Sequence, residues 1–294
     1  DGCDKHCKLG FHHFTALGGK GTETLCCPTI DGQPIKRYKG KNGEIIDATQ
    51  KYYVFSFIDI ECAKERGIAV CNAGSYSTNA VAQQVIAYIL NHYTKISQYN
   101  TFVKQGGWQN STVFSPLVYT SDEVFSKTIG LIGYGSIAKA VEKVAVALGM
   151  NVLVYTRTVK QKDKKFVSLD FLLQNSDIIS VHCPLNEQSK NMFSKETFDK
   201  CKDGVFFINT ARGGVVDENA LFEALKTGKL SGAAVDVLKS EPMSKECPLI
   251  KAKNITITPH TCWAPLATRK RLLNIVCENI SAFLNGKTQN NVAK

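Results

Sequence analysis

Arg212, His260 and one of two carboxylates, Asp236 or Glu241, are the side chains of this 294-residue sequence that could jointly hold an anion and move a proton. A guanidinium can clamp a carboxylate through paired N–H bonds, and an imidazole can give or take a hydroxyl proton near neutral pH. A carboxylate beside the imidazole can hold the ring in one orientation. Taken singly, each is an ordinary loop residue. Together they share a position: Arg212 comes just after the apolar run 205–209, Asp236 ends the run 232–236 with Glu241 shortly behind it, and His260 follows the run 255–258.

The elements that would position them can be read from the same pattern. The stretch Thr128-Ile-Gly-Leu-Ile-Gly133-Tyr-Gly135-Ser-Ile-Ala138 is a short apolar strand running into a glycine turn that opens a helix over 136–148. Strand, tight turn and helix N-terminus in that order present backbone N–H groups and the positive end of a helix dipole to a pyrophosphate. Gly133, Gly135, Ser136 and Ile137 are therefore the candidate phosphate contacts. A Gly-x-Gly-x-x-Ala match is weak alone, because such turns also arise for steric reasons, but its context adds to it. Ala138 lets the helix lie close to the strand, and Ala140, Val141, Val144, Ala145 and Leu148 continue an apolar helical face. A second strand over 151–155 ends about 20 residues past the first glycine, where a dinucleotide fold places its ribose-reading residue.

Further apolar runs at 178–182, 205–209, 232–236 and 255–258 alternate with helical patterns such as 217–227, for which Asp217 is a good N-cap and Gly228 a good stop. Six short strands alternating with helices predict an α/β fold with a doubly wound parallel sheet covered on both faces. Ligands of such sheets bind beyond the carboxyl ends of the strands, which brings Arg212, Asp236, Glu241 and His260 to one edge. With a dinucleotide there, the set fits hydride transfer to a 2-oxo acid or from a 2-hydroxy acid. A long helix over 76–96 enters this domain and another over 264–284 leaves it. The division is 1–77 as the first part of a second, smaller domain, 78–263 as the dinucleotide domain, and 264–294 as a helix returning to the smaller one.

Composition narrows the class. With 44% hydrophobic and 21% charged residues the chain is an ordinary globular protein. No stretch approaches the roughly 20 apolar residues of a membrane span and no signal-peptide pattern opens the sequence, so a cytoplasmic protein is expected. The net charge of +10 is scattered, its densest run being 160–165, without aromatic interleaving or a nucleic-acid motif. No nucleic acid and no membrane partner are expected. The 11 cysteines are odd in number and irregularly spaced, unlike a disulfide framework. Cys3, His6, Cys7, His12, His13, Cys26 and Cys27 fit no paired-ligand spacing, and no metal is expected.

The sequence resembles the D-2-hydroxyacid dehydrogenase family, most closely its glycerate dehydrogenase (hydroxypyruvate reductase) branch. The resemblance covers roughly residues 58–294. Its carriers are Ala63-Lys-Glu-Arg-Gly-Ile-Ala-Val, Gly74-Ser-Tyr-Ser-Thr-Asn-Ala-Val-Ala-Gln83, Gly106-Gly-Trp-Gln-Asn110, the glycine turn, His182-Cys-Pro-Leu185, Asn209-Thr-Ala-Arg-Gly213 and Thr258-Pro-His260. It implies a Rossmann domain with a smaller flavodoxin-like substrate domain, and reduction of a small 2-oxo acid such as hydroxypyruvate or glyoxylate. Arg212 would orient the substrate, His260 would be the acid/base, Glu241 its partner, and Trp263 would line the pocket. Cys183, Pro184, Thr210, Ala211 and Asp236 would join the cofactor contacts. Residues from Gly106 to about Asp122 would form the arm of a homodimer, although Trp108 could equally be a buried anchor within one subunit.

Two departures modify this. NAD-using members end the second strand with an aspartate that binds the ribose hydroxyls, whereas here Thr156 stands there, followed by Arg157. Loss of the carboxylate removes repulsion toward a 2′-phosphate, and Arg157 with the 160–165 run supplies attraction. NADP is the expected cofactor, with NAD as the alternative. Ahead of Ala63, moreover, the family's substrate half-domain and its glycine-rich carboxylate loop are replaced by a segment rich in Gly, Cys and Lys. Lys51-Tyr-Tyr-Val-Phe-Ser56 stands at the loop position, so the N-terminal part is divergent or incomplete. A non-catalytic protein that senses a nucleotide on the same fold, as corepressors do, is the rival reading.

Overall fold

The computed structural model describes residues 59–157 and 163–293, with the backbone of five two-residue strands before them. The candidate metal cluster at 3–27, the segment 51–56, most of the expected flavodoxin-like half and residues 158–162, which include the first part of the basic run 160–165, lie outside the described residues. By compactness the chain divides into residues 1–76 with 266–294, and residues 77–265.

The first unit contains the helix Ile60–Glu65, capped by the Asp59 carboxylate on Cys62 N–H, the short strand Ala69–Val70 and the helix Leu266–Leu284. Polar side chains bind its two stretches together. Asn291 Oδ1 accepts from Val70 N at 3.0 Å, and Asn279 Nδ2 donates to Asn72 O at 3.4 Å.

Six parallel strands form the sheet of the second unit: β1 (Thr128–Ile132), β2 (Asn151–Tyr155), β3 (Ile178–Val181), β4 (Val205–Asn209), β5 (Leu230–Val235) and β6 (Ile255–Ile257). Their order is β6-β5-β4-β3-β1-β2. The winding direction reverses between β1 and β3, which makes a switch point at the glycine turn. A one-residue parallel bridge between Val154 and Phe166 carries the sheet past β2.

Continuous apolar runs become strands here because both faces are covered. Phe206 and Ile208 of β4 point into one core, with Val85 and Ile89 of α1 (Thr78–Thr94) and, after α2 (Ile96–Lys104), Val141 and Ala145 of α3 (Ser136–Ala147). Phe207, between them, points into the other. It meets Leu172 of α4 (Leu169–Asn175), Phe198 of α5 (Lys195–Asp199) and Leu221 of α6 (Glu218–Lys226). The α6 start is as the sequence predicts, with Asp217 Oδ1 accepting from Asn219 and Ala220 N–H, and Gly228 follows the helix at φ +79°.

The long helix expected over 76–96 is a correction. It ends at Thr94, because Lys95 takes a left-handed φ of +58° and its N–H returns to Asn91 O. Asn91 Oδ1 then accepts from Ser97 N and Oγ, which caps α2.

Candidate active site

The carboxyl edge of the sheet has two halves. Around β1 to β3 the site is built mainly of backbone. Gly133 has φ +91° and its N–H donates to Tyr155 O at 2.7 Å, which draws the turn onto the end of β2. A Cβ there would sit 2.9 Å from Cys183 N, so only glycine lets the turn approach the loop after β3. A Cβ on Gly135 would meet nothing among the described residues, and none of their side chains caps α3, which leaves its first-turn N–H groups to a ligand. The Ser136 hydroxyl accepts from Thr78 Oγ1 at 3.3 Å, a contact that sequence reasoning missed.

Two buried polar atoms at this edge, Thr210 Oγ1 and His182 Nε2, have no hydrogen-bond partner among the described residues. Burial pushes the His182 imidazole down to about 4, so the ring is neutral. An open glycine cradle, an uncapped helix and orphaned polar atoms fit a nucleotide's phosphates and ribose. Arg157 is exposed at the end of β2, close enough for its charge to oppose the burial that pushes the Cys183 thiol up.

Lys165 requires a correction. Its ammonium donates to Glu142 Oε1 at 2.6 Å and to the Tyr134 hydroxyl at 2.8 Å, and Tyr134 also donates to Glu142. Its charge is neutralised by a carboxylate on α3, so Lys165 ties the glycine turn to the chain after β2 and is not free to attract a phosphate.

Around β4 to β6 the site is built of side chains. Asn209 accepts from Ala211 N and donates to Arg212 O, folding the turn that carries the arginine. Arg212 Nη1 donates to Ala211 O, and the guanidinium pairs with no carboxylate among the described residues. A Cβ on Gly213 would lie 1.9 Å from the Leu238 carbonyl carbon, so glycine there brings the Arg212 turn against the loop that carries Glu241. Glu241 Oε1 accepts from Leu238 N at 2.8 Å and Oε2 from His260 Nδ1 at 2.7 Å. The Nδ1 proton is assigned from this contact, which leaves Nε2 for a ligand. Half-buried Trp263 stands in the turn after His260.

Asp236 holds the turn that carries the histidine. Its buried carboxylate reaches the 258–262 turn, where it accepts from Thr258 Oγ1, Thr261 N at 2.9 Å and Cys262 N at 3.0 Å. Its carbonyl accepts from His260 N at 2.8 Å. Trp108 is half-exposed, with its indole N–H on Phe114 O, and does not serve as a buried anchor of this unit.

Residues 86–262 match the profile described as the D-isomer specific 2-hydroxyacid dehydrogenase NAD-binding domain. The chain is 39% identical over 244 residues to a hydroxypyruvate reductase of Blautia hydrogenotrophica, covering 82% of this chain and 76% of that protein. It is 38% identical over 235 residues to a glycerate dehydrogenase of Methylorubrum extorquens, covering 79% and 74%. Among solved structures, an acyclic imino acid reductase in complex with NADPH and D-Arg superposes with a TM-score of 0.70 at 32% identity, covering 81% of this chain and 75% of that one. With its six-stranded Rossmann sheet, the chain belongs to the D-2-hydroxyacid dehydrogenase family of oxidoreductases, in the glycerate dehydrogenase and hydroxypyruvate reductase branch.

Proposed function

We propose that the protein reduces a small 2-oxo acid, hydroxypyruvate or glyoxylate, to the D-2-hydroxy acid, with His260 as the proton donor and NADPH preferred over NADH. The observation that carries this reading is the His260 imidazole held at Nδ1 by Glu241 at 2.7 Å, with Nε2 meeting no partner among the described residues. The names of the relatives support the substrate class. The dinucleotide, when bound, supplies the hydride. Arg212 pairs with the substrate carboxylate, Nε2–H of His260 passes its proton to the developing alkoxide, and Glu241 keeps the ring aligned throughout. Trp263 walls the pocket. Backbone amides at Gly135, Ser136 and Ile137 hold the pyrophosphate, with Cys183, Pro184, Thr210 and Ala211 beside it, and Arg157 reaches the 2′-phosphate past Thr156. Residues 1–77 and 264–294 act as the substrate domain.

A steady-state assay with hydroxypyruvate, glyoxylate and pyruvate, each with NADPH and NADH, tests this. Turnover of the first two with NADPH is expected. Tight nucleotide binding without turnover of any of them would favour the nucleotide-sensing rival. We further assign the segment around Trp108 to a homodimer arm, because Phe114 and Leu117 are 91% and 86% exposed. Sedimentation should give a dimer that Phe114→Glu with Leu117→Glu converts to monomer.

A further inference from the structure

His260 is held in a conformation it would not choose. Its φ of +54° is left-handed, which costs a non-glycine residue on the order of 1 kcal/mol, and such a residue persists only where its surroundings over-determine it. The over-determination begins on α1, away from the reacting edge. Tyr88, 5% exposed, lies with its hydroxyl 2.5 Å from Thr258 Oγ1 and 3.8 Å from Cys262 Sγ. Thr258 has one hydroxyl proton, which it donates to Asp236, so its oxygen accepts from Tyr88. Burial pushes the phenol up, and it remains a donor. Asp236 in turn holds the N–H groups of Thr261 and Cys262 with its carboxylate and that of His260 with its carbonyl. A directional chain therefore runs from Tyr88 through Thr258 and Asp236 to both sides of His260. Glu241 fixes the ring from the other side, so the imidazole is aimed by two independent restraints.

We propose that Tyr88 is a positioning residue for proton transfer, acting on His260 through Thr258 and Asp236. This rests on His260 being the proton donor. The bland alternative is a tyrosine that merely satisfies its hydroxyl inside the core. The two differ in what they predict when His260 is absent, because a residue that works only by aiming the imidazole has nothing to aim in a His260→Ala enzyme.

The test is a double-mutant cycle of Tyr88→Phe and His260→Ala, read as kcat and KM for reduction, with melting temperature as a control. Since small misplacements of a reacting group cost up to about 100-fold, Tyr88→Phe is expected to lower kcat about 5- to 30-fold with the dinucleotide KM unchanged, and to have no further effect in the His260→Ala background. Thr258→Val breaks the same chain at its next link and is expected to give a loss of similar size, which covers a Tyr88→Phe protein that folds poorly. Wild-type kcat in both single variants beside a crippled His260→Ala overturns this inference alone. Equal losses with and without His260 also overturn it, by assigning Tyr88 a structural role. Full turnover in His260→Ala removes the proton donor itself, and this inference with it.

Discussion

The two halves of the carboxyl edge solve different problems with different material. The half at β1 to β3 is backbone: glycines that allow close approach, a helix end that no described side chain caps and the orphaned Nε2 of His182. The half at β4 to β6 is a side-chain lattice, in which Asn209, Asp236, Glu241, Thr258 and Tyr88 each hold something that holds something else. A phosphate is bound by any well-placed N–H, so the first half tolerates side-chain change where the backbone path is kept. On the proposed function, proton transfer would depend on sub-ångström placement of one atom, and the second half is restrained from several directions.

The sharpest way to break this contrast is at the end of the lattice. His260→Ala should lower kcat at least about 100-fold while nucleotide affinity barely changes, since general acid catalysis contributes roughly 10²- to 10⁴-fold. Near-normal turnover would remove His260 from the mechanism.

The nucleotide half should be sensitive where a side chain does contribute. A charge-assisted bidentate contact from Arg157 to a 2′-phosphate would be worth about 1.5–3 kcal/mol, or roughly 10- to 150-fold. We expect kcat/KM for NADPH to exceed that for NADH, and Thr156→Asp with Arg157→Ala to reverse the order by adding repulsion and removing the clamp. Equal use of both cofactors by the unmutated protein, unchanged by Arg157→Ala, would place Arg157 in solvent.

Acid should act on the scaffold common to both halves. Burial lowers His182 and His92 to about 4 each, and the His92 ring is stacked on Phe206 at 3.9 Å with Nε2 against Ser231 Oγ. For a base whose folded pKa is depressed, the unfolded chain binds the proton first. The associated stability is therefore full above about 6.5 and is lost as pH falls toward 4. The melting temperature should drop by about 5 °C or more across that window, and His92→Phe should make the slope shallower. An unchanged slope would mean that His92 accepts a proton within the fold.

The smallest effect should come from a side chain within the backbone half. Ser136→Ala removes only the hydroxyl that meets Thr78 and leaves the amide, so the dinucleotide KM should change by less than about 3-fold. A loss above 10-fold would show that the turn binds through side chains after all.

Much of the molecule is legible in its amino-acid sequence. Strand, glycine turn and helix appear in order from Thr128 to Ala147, because two-sided burial and the 3.6-residue period leave a local signature. Asp217 and Gly228 bracket their helix as capping chemistry requires. Arg212, Glu241 and His260 can be nominated because the ends of parallel strands share one edge by topology. Lys165 misleads because its type fits a ligand while its partner Glu142 lies 23 residues away, and the hold of Asp236 on the 258–262 turn, 22 to 26 residues on, is equally invisible. Tyr88 carries no signal at all, since an aromatic residue on an apolar helical face reads as core. Its partner Thr258 is 170 residues distant. Short-range chemistry thus determined the elements, their order and the edge at which reactive groups would gather. Which carboxylate faces the imidazole, which lysine is already paired and what holds His260 in a left-handed turn were decided only by tertiary packing, because each depends on which side chains meet once distant strands and helices are brought together.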